Sequence, residues 1–207
     1  QYSIQKYDRP WSNIITLSGG NNINRVESGN DADIDKNISF GLGISRKIGK
    51  YDAKPDYSYK DEEDNSSHSF GVNNLIDKPN FSLFAPYFRL RENVAQIVLS
   101  RKAKKHSFSF GGEAGRTSLD SYSDFYNGDG VNYVLDPNSH SQTKVAETRY
   151  EAFVADTYEL SKKLNIEGKL RLEKSHIAQE GDNQKERDFT YLKPRIAASY
   201  KYNDKLI

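Results

Sequence analysis

The side chains best suited to recognising a ligand lie in a long polar stretch in the middle of the chain, residues 117–146. Aromatic rings stand beside aspartates there, and the candidate ligand-binding residues are Tyr122, Asp124, Phe125, Tyr126, Asp129 and Tyr133. Such rings would stack on a sugar or a catecholate, and long exposed loops commonly carry recognition. The alternative is that the rings only fold the loop onto its neighbours.

Metal sites have little support in the sequence. The segment 127–130 is similar to part of a calcium loop, but Phe125 stands where that pattern requires an aspartate. A second set of possible oxygen ligands alternates along one stretch: Asp31, Asp33 and Asp35. A turn-rich exposed loop explains both stretches better. Cysteine is absent, which excludes disulfides and thiolate metal sites.

Catalysis has equally little support, because the four histidines are scattered among predicted turns and loops. His106 precedes Ser107, and a histidine beside a serine suggests a membrane-embedded hydrolase. Glu113 would have to orient His106, but at about 3.3 Å per residue it lies too far along the strand. We therefore predict no enzyme activity, no cofactor and no metal.

Composition narrows the class of protein. Only 35% of the 207 residues are hydrophobic, and the mean hydropathy is −0.85. No apolar run approaches the ~20 residues that a membrane helix needs. The 14 tyrosines and 10 phenylalanines argue against disorder and suit aromatic girdles at membrane interfaces. The net charge of +1 indicates no particular partner, and no basic run with interleaved aromatics predicts nucleic-acid binding.

Residues 164–173 show the alternating pattern of the β-strands that would hold the candidate side chains in place. Leu170 and Leu172 occupy even positions, whereas Arg171 and Glu173 occupy odd ones. A period of two indicates a β-strand with unlike faces, one meeting an apolar medium and the other water. This predicts an all-β, antiparallel transmembrane β-barrel. Charges predicted to face its lumen are Glu113, Lys169, Arg171, Glu173, Lys193 and Arg195.

Short turns alternate with long polar stretches along the chain, and we count eight to ten strands. Strands are predicted at 11–19, 38–45, 95–100, 107–115, 149–160, 164–173 and 191–202, with weaker candidates at 66–72 and 81–91, where Pro86 marks an irregular point or a strand end. Turns are predicted at 47–50, 102–106, 161–163 and 203–204. Loops are predicted at 20–36, 117–146 and 176–188, and the charge run 61–65 is also predicted to be a solvated loop. Outer-membrane barrels have short periplasmic turns and long extracellular loops. The four turns are therefore predicted to face the periplasm, and the loops 20–36, 117–146 and 176–188 are predicted to lie outside the cell.

Four strands, in this order and spacing, resemble the barrel of TonB-dependent outer-membrane receptors: residues 107–113, 151–160, 164–173 and 191–200. Each motif alone is a short amphipathic strand, but the series ends on the characteristic Pro194-Arg195 pair. The resemblance is specific over about residues 100–207, and residues 1–99 fit as earlier strands of the same barrel.

The resemblance implies a large barrel of about 22 strands with a plugged lumen. Residues 1–207 would then be one partial barrel domain without a plug, and residues 206–207 read as the start of a further strand. The implied function is active uptake of a scarce nutrient, such as a siderophore or glycan, across the outer membrane of a Gram-negative bacterium. Implied partners are outer-membrane lipid, the remaining strands, a plug domain and the TonB complex. The alternatives are a small complete barrel acting as an adhesin or structural anchor, and a soluble carbohydrate-binding β-domain.

Overall fold

The computed structural model describes residues 1–17, 23–74 and 80–202, and these form one antiparallel sheet of ten strands. The strands are β1 (Tyr2–Leu17), β2 (Ile23–Gly43), β3 (Arg46–Ile48), β4 (Tyr51–Asn74), β5 (Asn80–Ala103), β6 (His106–Gly128), β7 (Tyr133–Leu135), β8 (Ser141–Ser161), β9 (Leu164–Gly181) and β10 (Lys185–Tyr200). Across the described ranges, no helix has the length and apolar character needed to cross a membrane.

Every long strand pairs with the long strand that precedes it in the chain. The order across the sheet is β1-β2-β4-β5-β6-β8-β9-β10, while β3 pairs with β4 and β7 with the far end of β6. The prediction of an all-β antiparallel architecture with eight to ten strands is confirmed. Within the described part of the chain, β1 and β10 each pair with a single neighbour and form the edges of the sheet.

Short turns join the strands at one end of the sheet, as predicted. Residues 49–50 connect β3 to β4, and residues 104–105 connect β5 to β6. Gly49 and Lys104 adopt positive φ angles of 60° and 55°, which two-residue hairpins require. At the β8–β9 turn, the Ser161 hydroxyl accepts hydrogen bonds from the backbone N–H groups of Lys163 and Leu164 at 3.2 and 3.1 Å. The predicted turn at 203–204 and the strand start at 206–207 lie outside the described residues.

The predicted long loops are wrong. Residues 23–36 belong to β2, and residues 20–22 are not described. Only residues 182–184 lie between β9 and β10. Of 117–146, only 129–140 separates β6 from β8, and β7 lies inside that segment. These stretches are polar on both faces, so the hydrophobic period of two disappears from the sequence. The backbone ladder does not need apolar side chains, and the hairpins therefore continue.

The predicted loop at 61–65 is wrong for the same reason, because these residues lie inside β4. The predicted irregularity at Pro86 is confirmed. The β4–β5 ladder skips the pairs that would contain Pro86 and Ala85, while the β5–β6 ladder continues past them. The only register shift in the sheet, as far as it is described, lies between Glu159 and Ser161, beside a turn. Odd and even positions therefore keep their faces along each strand.

Candidate functional site

The two faces of the sheet are inverted relative to those of a water-soluble protein. On β9, Leu170 and Leu172 are 44% and 50% exposed, whereas Glu173 is only 9% exposed on the opposite face. On β10, Ile196 is 85% exposed. Register defines an apolar face, represented by Leu42, Ile97, Phe110, Val154, Leu170 and Ile196. Within the band that these residues mark, charged side chains such as Glu113, Arg171 and Arg195 project from the opposite, polar face.

A chain of ion pairs crosses the polar face from β6 to β9. Arg149 Nη2 lies 2.8 Å from Glu113 Oε1, and its Nε lies 3.5 Å from Glu151 Oε1. The other carboxylate oxygen of Glu151 lies 2.8 Å from Arg171 Nη1. These distances link β6, β8 and β9 through alternating charges, so the polar face is braced across the backbone ladder.

A further ion pair extends the arrangement to β10, where Lys193 Nζ donates to Glu173 Oε2 at 2.6 Å. We call the whole set the ionic ladder: Glu113, Arg149, Glu151, Arg171, Glu173 and Lys193. Its three acids and three bases balance. Sequence reasoning missed Arg149 and Glu151 as members. The sequence did contain a signal for them: Arg149 and Glu151 occupy odd positions of β8, whereas the apolar residues Ala152 and Val154 occupy even ones.

The remaining two charges of the predicted lumen set lie on the polar face but outside the ladder. Lys169 Nζ sits 4.6 Å from the centroid of the Phe153 ring. That ring covers Gly111, where a Cβ atom would collide with Phe153 and with the Ile97 carbonyl. Arg195 is exposed and has no ion-pair partner in the part of the chain that the structure describes. Both cations are therefore available for other contacts.

The six candidate ligand-binding residues do not converge on one pocket. Tyr122, Asp124 and Tyr126 project from the same side of β6 as the apolar face, and Phe125 projects from the other side. Tyr133 pairs with Gly128 on the Tyr126 side. The Tyr122 ring stacks on Tyr87 with centroids 4.6 Å apart, and Asp124 Oδ1 lies 2.7 Å from the Nδ1 atom of His140. The structure thus divides these residues between two surfaces.

Asp129 holds the tip between β6 and β7. Its Oδ1 accepts the backbone N–H groups of Val131 and Asn132 at 2.9 and 2.7 Å, and Gly130 adopts a φ of 93° beside it. These donors, led by Asn132, hold the pKa of the Asp129 carboxyl below its usual range. The carboxylate is used to shape the turn, and a calcium role for 127–130 has no geometric support.

Each histidine ring places its Nδ1 atom 2.6 to 3.0 Å from an aspartate oxygen, in the pairs His68–Asp31, His106–Asp156, His140–Asp124 and His176–Asp188. His106 and Ser107 are consecutive strand residues and project from opposite faces. They therefore cannot form the histidine–serine pair of a hydrolase that was considered from the sequence. Among the described residues, no group of three histidine, aspartate or glutamate side chains is placed to hold a metal ion.

A family model described as TonB dependent receptor-like, beta-barrel matches residues 1–207. No curated protein sequence matches the chain. Solved structures similar to it include the closed form of the ferric-catecholate import receptor Fiu from E. coli K12, with 8% identity, a TM-score of 0.48, and 98% of this chain and 48% of that chain covered.

Two further similar structures come from other bacteria. The ferripyoverdine receptor of Pseudomonas aeruginosa has 10% identity, a TM-score of 0.45, and coverage of 98% of this chain and 39% of its own. BauA, the ferric preacinetobactin receptor from Acinetobacter baumannii, has 14% identity, a TM-score of 0.43, and coverage of 98% and 38%. The chain thus spans less than half the length of each of these three solved chains.

Proposed function

Because this chain belongs to the TonB-dependent receptor-like β-barrel family, we propose that it forms part of the barrel of a receptor that imports a scarce nutrient. The family is one of receptors and transporters. The proposed cargo is a siderophore or a glycan, captured at the surface of a Gram-negative bacterium. Import across the outer membrane would be driven by TonB through a plug domain carried elsewhere in the receptor.

The inverted faces of the sheet carry this proposal. Ile196 and Leu172 are exposed on one face, whereas the carboxylate of Glu173 is buried on the other. Apolar side chains are stable on a surface that contacts lipid, and charged side chains are stable along a wet lumen. The apolar face would therefore meet the bilayer, and the polar face would line the lumen around the plug.

The ionic ladder suits a wall that must stay rigid while a plug moves past it. Its charges are satisfied by one another, so they leave little attraction for a passing anion or cation. Lys169 and Arg195 lie outside the ladder on the same face. These two cations are the best candidates for contacts with carboxylates of the plug.

The end of the sheet remote from the short turns would lie outside the cell and capture the ligand. Phe125 is 36% exposed there on the polar side of β6 and would face the lumen entrance. Tyr122, Asp124, Tyr126 and Tyr133 would contact ligands only from the outer rim, while Asp129 would act by shaping the tip. This ranks Phe125 first among the predicted binding residues.

The experiment is an uptake assay with the full-length protein in a Gram-negative host, using ferric catecholates, ferric hydroxamates and oligosaccharides as probes. We expect uptake of one probe class that is lost when TonB is deleted. Phe125→Ala should lower that uptake, and Val134→Ala, a matched truncation of an exposed tip residue, should not. Uptake that persists without TonB would contradict the proposal.

The alternative hypothesis, a small complete barrel, fits the sheet less well. In hydrocarbon, every backbone polar group must be paired, and a complete barrel pairs its first strand with its last. Strands β1 and β10 are not neighbours in the sheet order. A soluble carbohydrate-binding domain is also disfavoured, because its sheet would bury large apolar residues such as Ile196 against a second layer.

A further inference from the structure

Two pairs of aromatic rings lie on the polar face, in the part of the sheet remote from the short turns. The Trp11 and Phe70 rings have centroids 5.9 Å apart, and the His68 ring stacks on Phe84 at 6.3 Å. Trp11 and Phe70 are the two register partners of Gly29, one on each side of β2. A Cβ atom at Gly29 would collide with the indole of Trp11. The indole therefore lies across the backbone of β2, which only a glycine at this position permits.

Phenylalanine rings on this face are exposed, although the face is polar. Phe70 and Phe84 are 39% and 41% exposed, and Phe88, on the same side of β5 as Phe84, is 38% exposed. Phe84 is also the register partner of Phe125 on β6. Lipid explains exposed rings on the apolar face, but it does not reach the inner face of a barrel. These rings therefore offer apolar surface to a molecule inside the lumen.

Hydrogen-bonding side chains follow the rings along the same face towards the short turns. Arg9 Nη2 donates to Asp33 Oδ2 at 2.9 Å, which fixes a guanidinium group beside the Trp11 row. Ser66 Oγ donates to Asp64 Oδ1 at 2.6 Å. A carboxylate has about four lone-pair positions, so each of these aspartates is held in place and still has positions free to accept from other donors.

An open cavity of about 390 Å³ continues this surface across β1, β2, β4 and β5. The amides of Gln5 and Asn37 and the ring of Phe88 contribute to its lining. The carboxylates of Asp35 and Asp64, which are register partners on β2 and β4, line it as well. An amide both donates and accepts, whereas a carboxylate only accepts. The cavity therefore combines donors and acceptors beside an exposed aromatic ring.

The rings, the ion pair and the cavity form one continuous surface, which we call the ring track. It consists of the polar-face residues within 5–11 of β1, 31–37 of β2, 64–70 of β4 and 84–88 of β5. At about 3.3 Å per residue, the span 5–11 makes the track about 20 Å long. The track carries four carboxylates, one arginine and one histidine. An anionic cargo such as a ferric tris-catecholate would be repelled by this excess of negative charge.

We propose that the ring track binds a neutral linear oligosaccharide along the lumen wall. Sugar rings would stack on Trp11, Phe84 and Phe88. Their hydroxyl groups would donate to the carboxylates and accept from Arg9 and Asn37. Aromatic surface with a few fixed polar groups is typical of small-molecule sites, and mixed donors and acceptors suit a ligand rich in hydroxyl groups. The inference rests on the proposed function in taking the polar face as the lumen wall, and it selects a glycan over an anionic siderophore as the cargo.

The test measures binding to the full-length protein in detergent by isothermal titration calorimetry. The probes are neutral linear hexasaccharides of glucose, xylose, mannose and galactose, the corresponding disaccharides, and a ferric tris-catecholate. Phe84→Ala/Phe88→Ala removes two rings from the track, and Phe84→Tyr/Phe88→Tyr keeps both rings. Phe40→Ala is the matched control, because Phe40 is an exposed ring on the apolar face of β2.

We expect one hexasaccharide to bind, and its disaccharide to bind at least tenfold more weakly because it covers only part of the track. The double alanine substitution should weaken hexasaccharide binding at least tenfold, whereas the double tyrosine substitution and Phe40→Ala should bind like the unmodified protein. The ferric tris-catecholate should not bind to the track, so it should not compete with the hexasaccharide.

Failure of every hexasaccharide to bind, an equal loss in Phe40→Ala, or competition by the ferric tris-catecholate would each overturn the proposal. If the rings instead hold the plug, the double alanine substitution would speed protease cleavage of the plug and leave oligosaccharide binding unchanged, which would also overturn it. TonB-dependent uptake of an iron complex without oligosaccharide binding would refute the ring track and leave the proposed function standing. Because calorimetry needs no TonB, uptake that persists without TonB would refute transport by TonB and leave the calorimetric result unchanged.

Discussion

Glu151 on β8 and Arg171 on β9 form an ion pair of 2.8 Å in which the glutamate side chain is only 7% exposed. The second carboxylate oxygen of Glu151 faces Arg149. One buried carboxylate therefore compensates two guanidinium groups on neighbouring strands. Removing its charge leaves Arg171 without an ion pair among the described residues and leaves Arg149 with Glu113 alone.

Glu151→Gln should lower the free energy of unfolding by about 1–3 kcal/mol, because hydrogen-bonded charged groups contribute on that order and lumen water screens the loss only in part. The measurement is urea unfolding of the full-length protein folded into lipid vesicles. Glu167→Gln is the control, because Glu167 lies on the same face without an ion pair among the described residues. A double-mutant cycle with Arg171→Met should show coupling, and additive effects would argue against the pair.

The assignment of faces makes a second, stronger prediction. Leu170→Arg, if it lies near the bilayer midplane, should cost about 2–4 kcal/mol of stability in lipid, whereas Arg195→Ala on the polar face should change stability little. Folding yield in vesicles and urea midpoints report both effects. Equal costs would mean that the strands are shifted by one residue, because such a shift exchanges every side chain between the faces.

The sequence predicted these faces because Leu170, Leu172 and Ile196 alternate with charged residues inside the hydrophobic band. It could not predict the outer halves of the strands, where polar residues occupy both faces and no period remains. The pair between Asp61 and Arg89, 28 positions apart, was equally hidden. Such a contact depends on the β4–β5 register, which alternation within one strand does not determine.

The tip between β6 and β7 should respond to acid through Asp129. The pKa of this carboxyl is lowered in the folded protein, so its contribution to the turn is present above the ordinary carboxyl pKa and is lost as pH falls through the lowered value. A spin label at Val131 should stay immobile from pH 7 to about pH 5 and loosen only below about pH 4. Asp129→Asn, whose side-chain oxygen accepts the same backbone donors, should abolish the acid-dependent change. The same loosening in Asp129→Asn would assign it to another group.

Residues 129–140 should lie outside the cell. An epitope tag inserted after Gly130 should be labelled by antibody on intact cells, because this tip lies at the opposite end of the sheet from the short turns at 49–50 and 104–105. Deleting 131–139 should leave barrel assembly intact, since exposed loop tips tolerate deletion. A tag at 104–105 is the control and should be reached only after the outer membrane is permeabilised. The reverse labelling pattern would reverse the proposed orientation of every connection.

Residues 1–207 expressed alone should not form a closed, stable barrel. Strands β1 and β10 are the edges of the described sheet, and an unpaired strand edge in hydrocarbon costs several kcal/mol for each lost backbone hydrogen bond. We therefore expect aggregation, or a product that migrates in the same way before and after boiling in gel electrophoresis. Expressing the remainder of the receptor in the same cells should rescue a protease-protected, heat-modifiable form. A monomeric, heat-modifiable barrel formed by residues 1–207 alone would contradict the partial-barrel interpretation. The small complete barrel would then become the better account of the two faces.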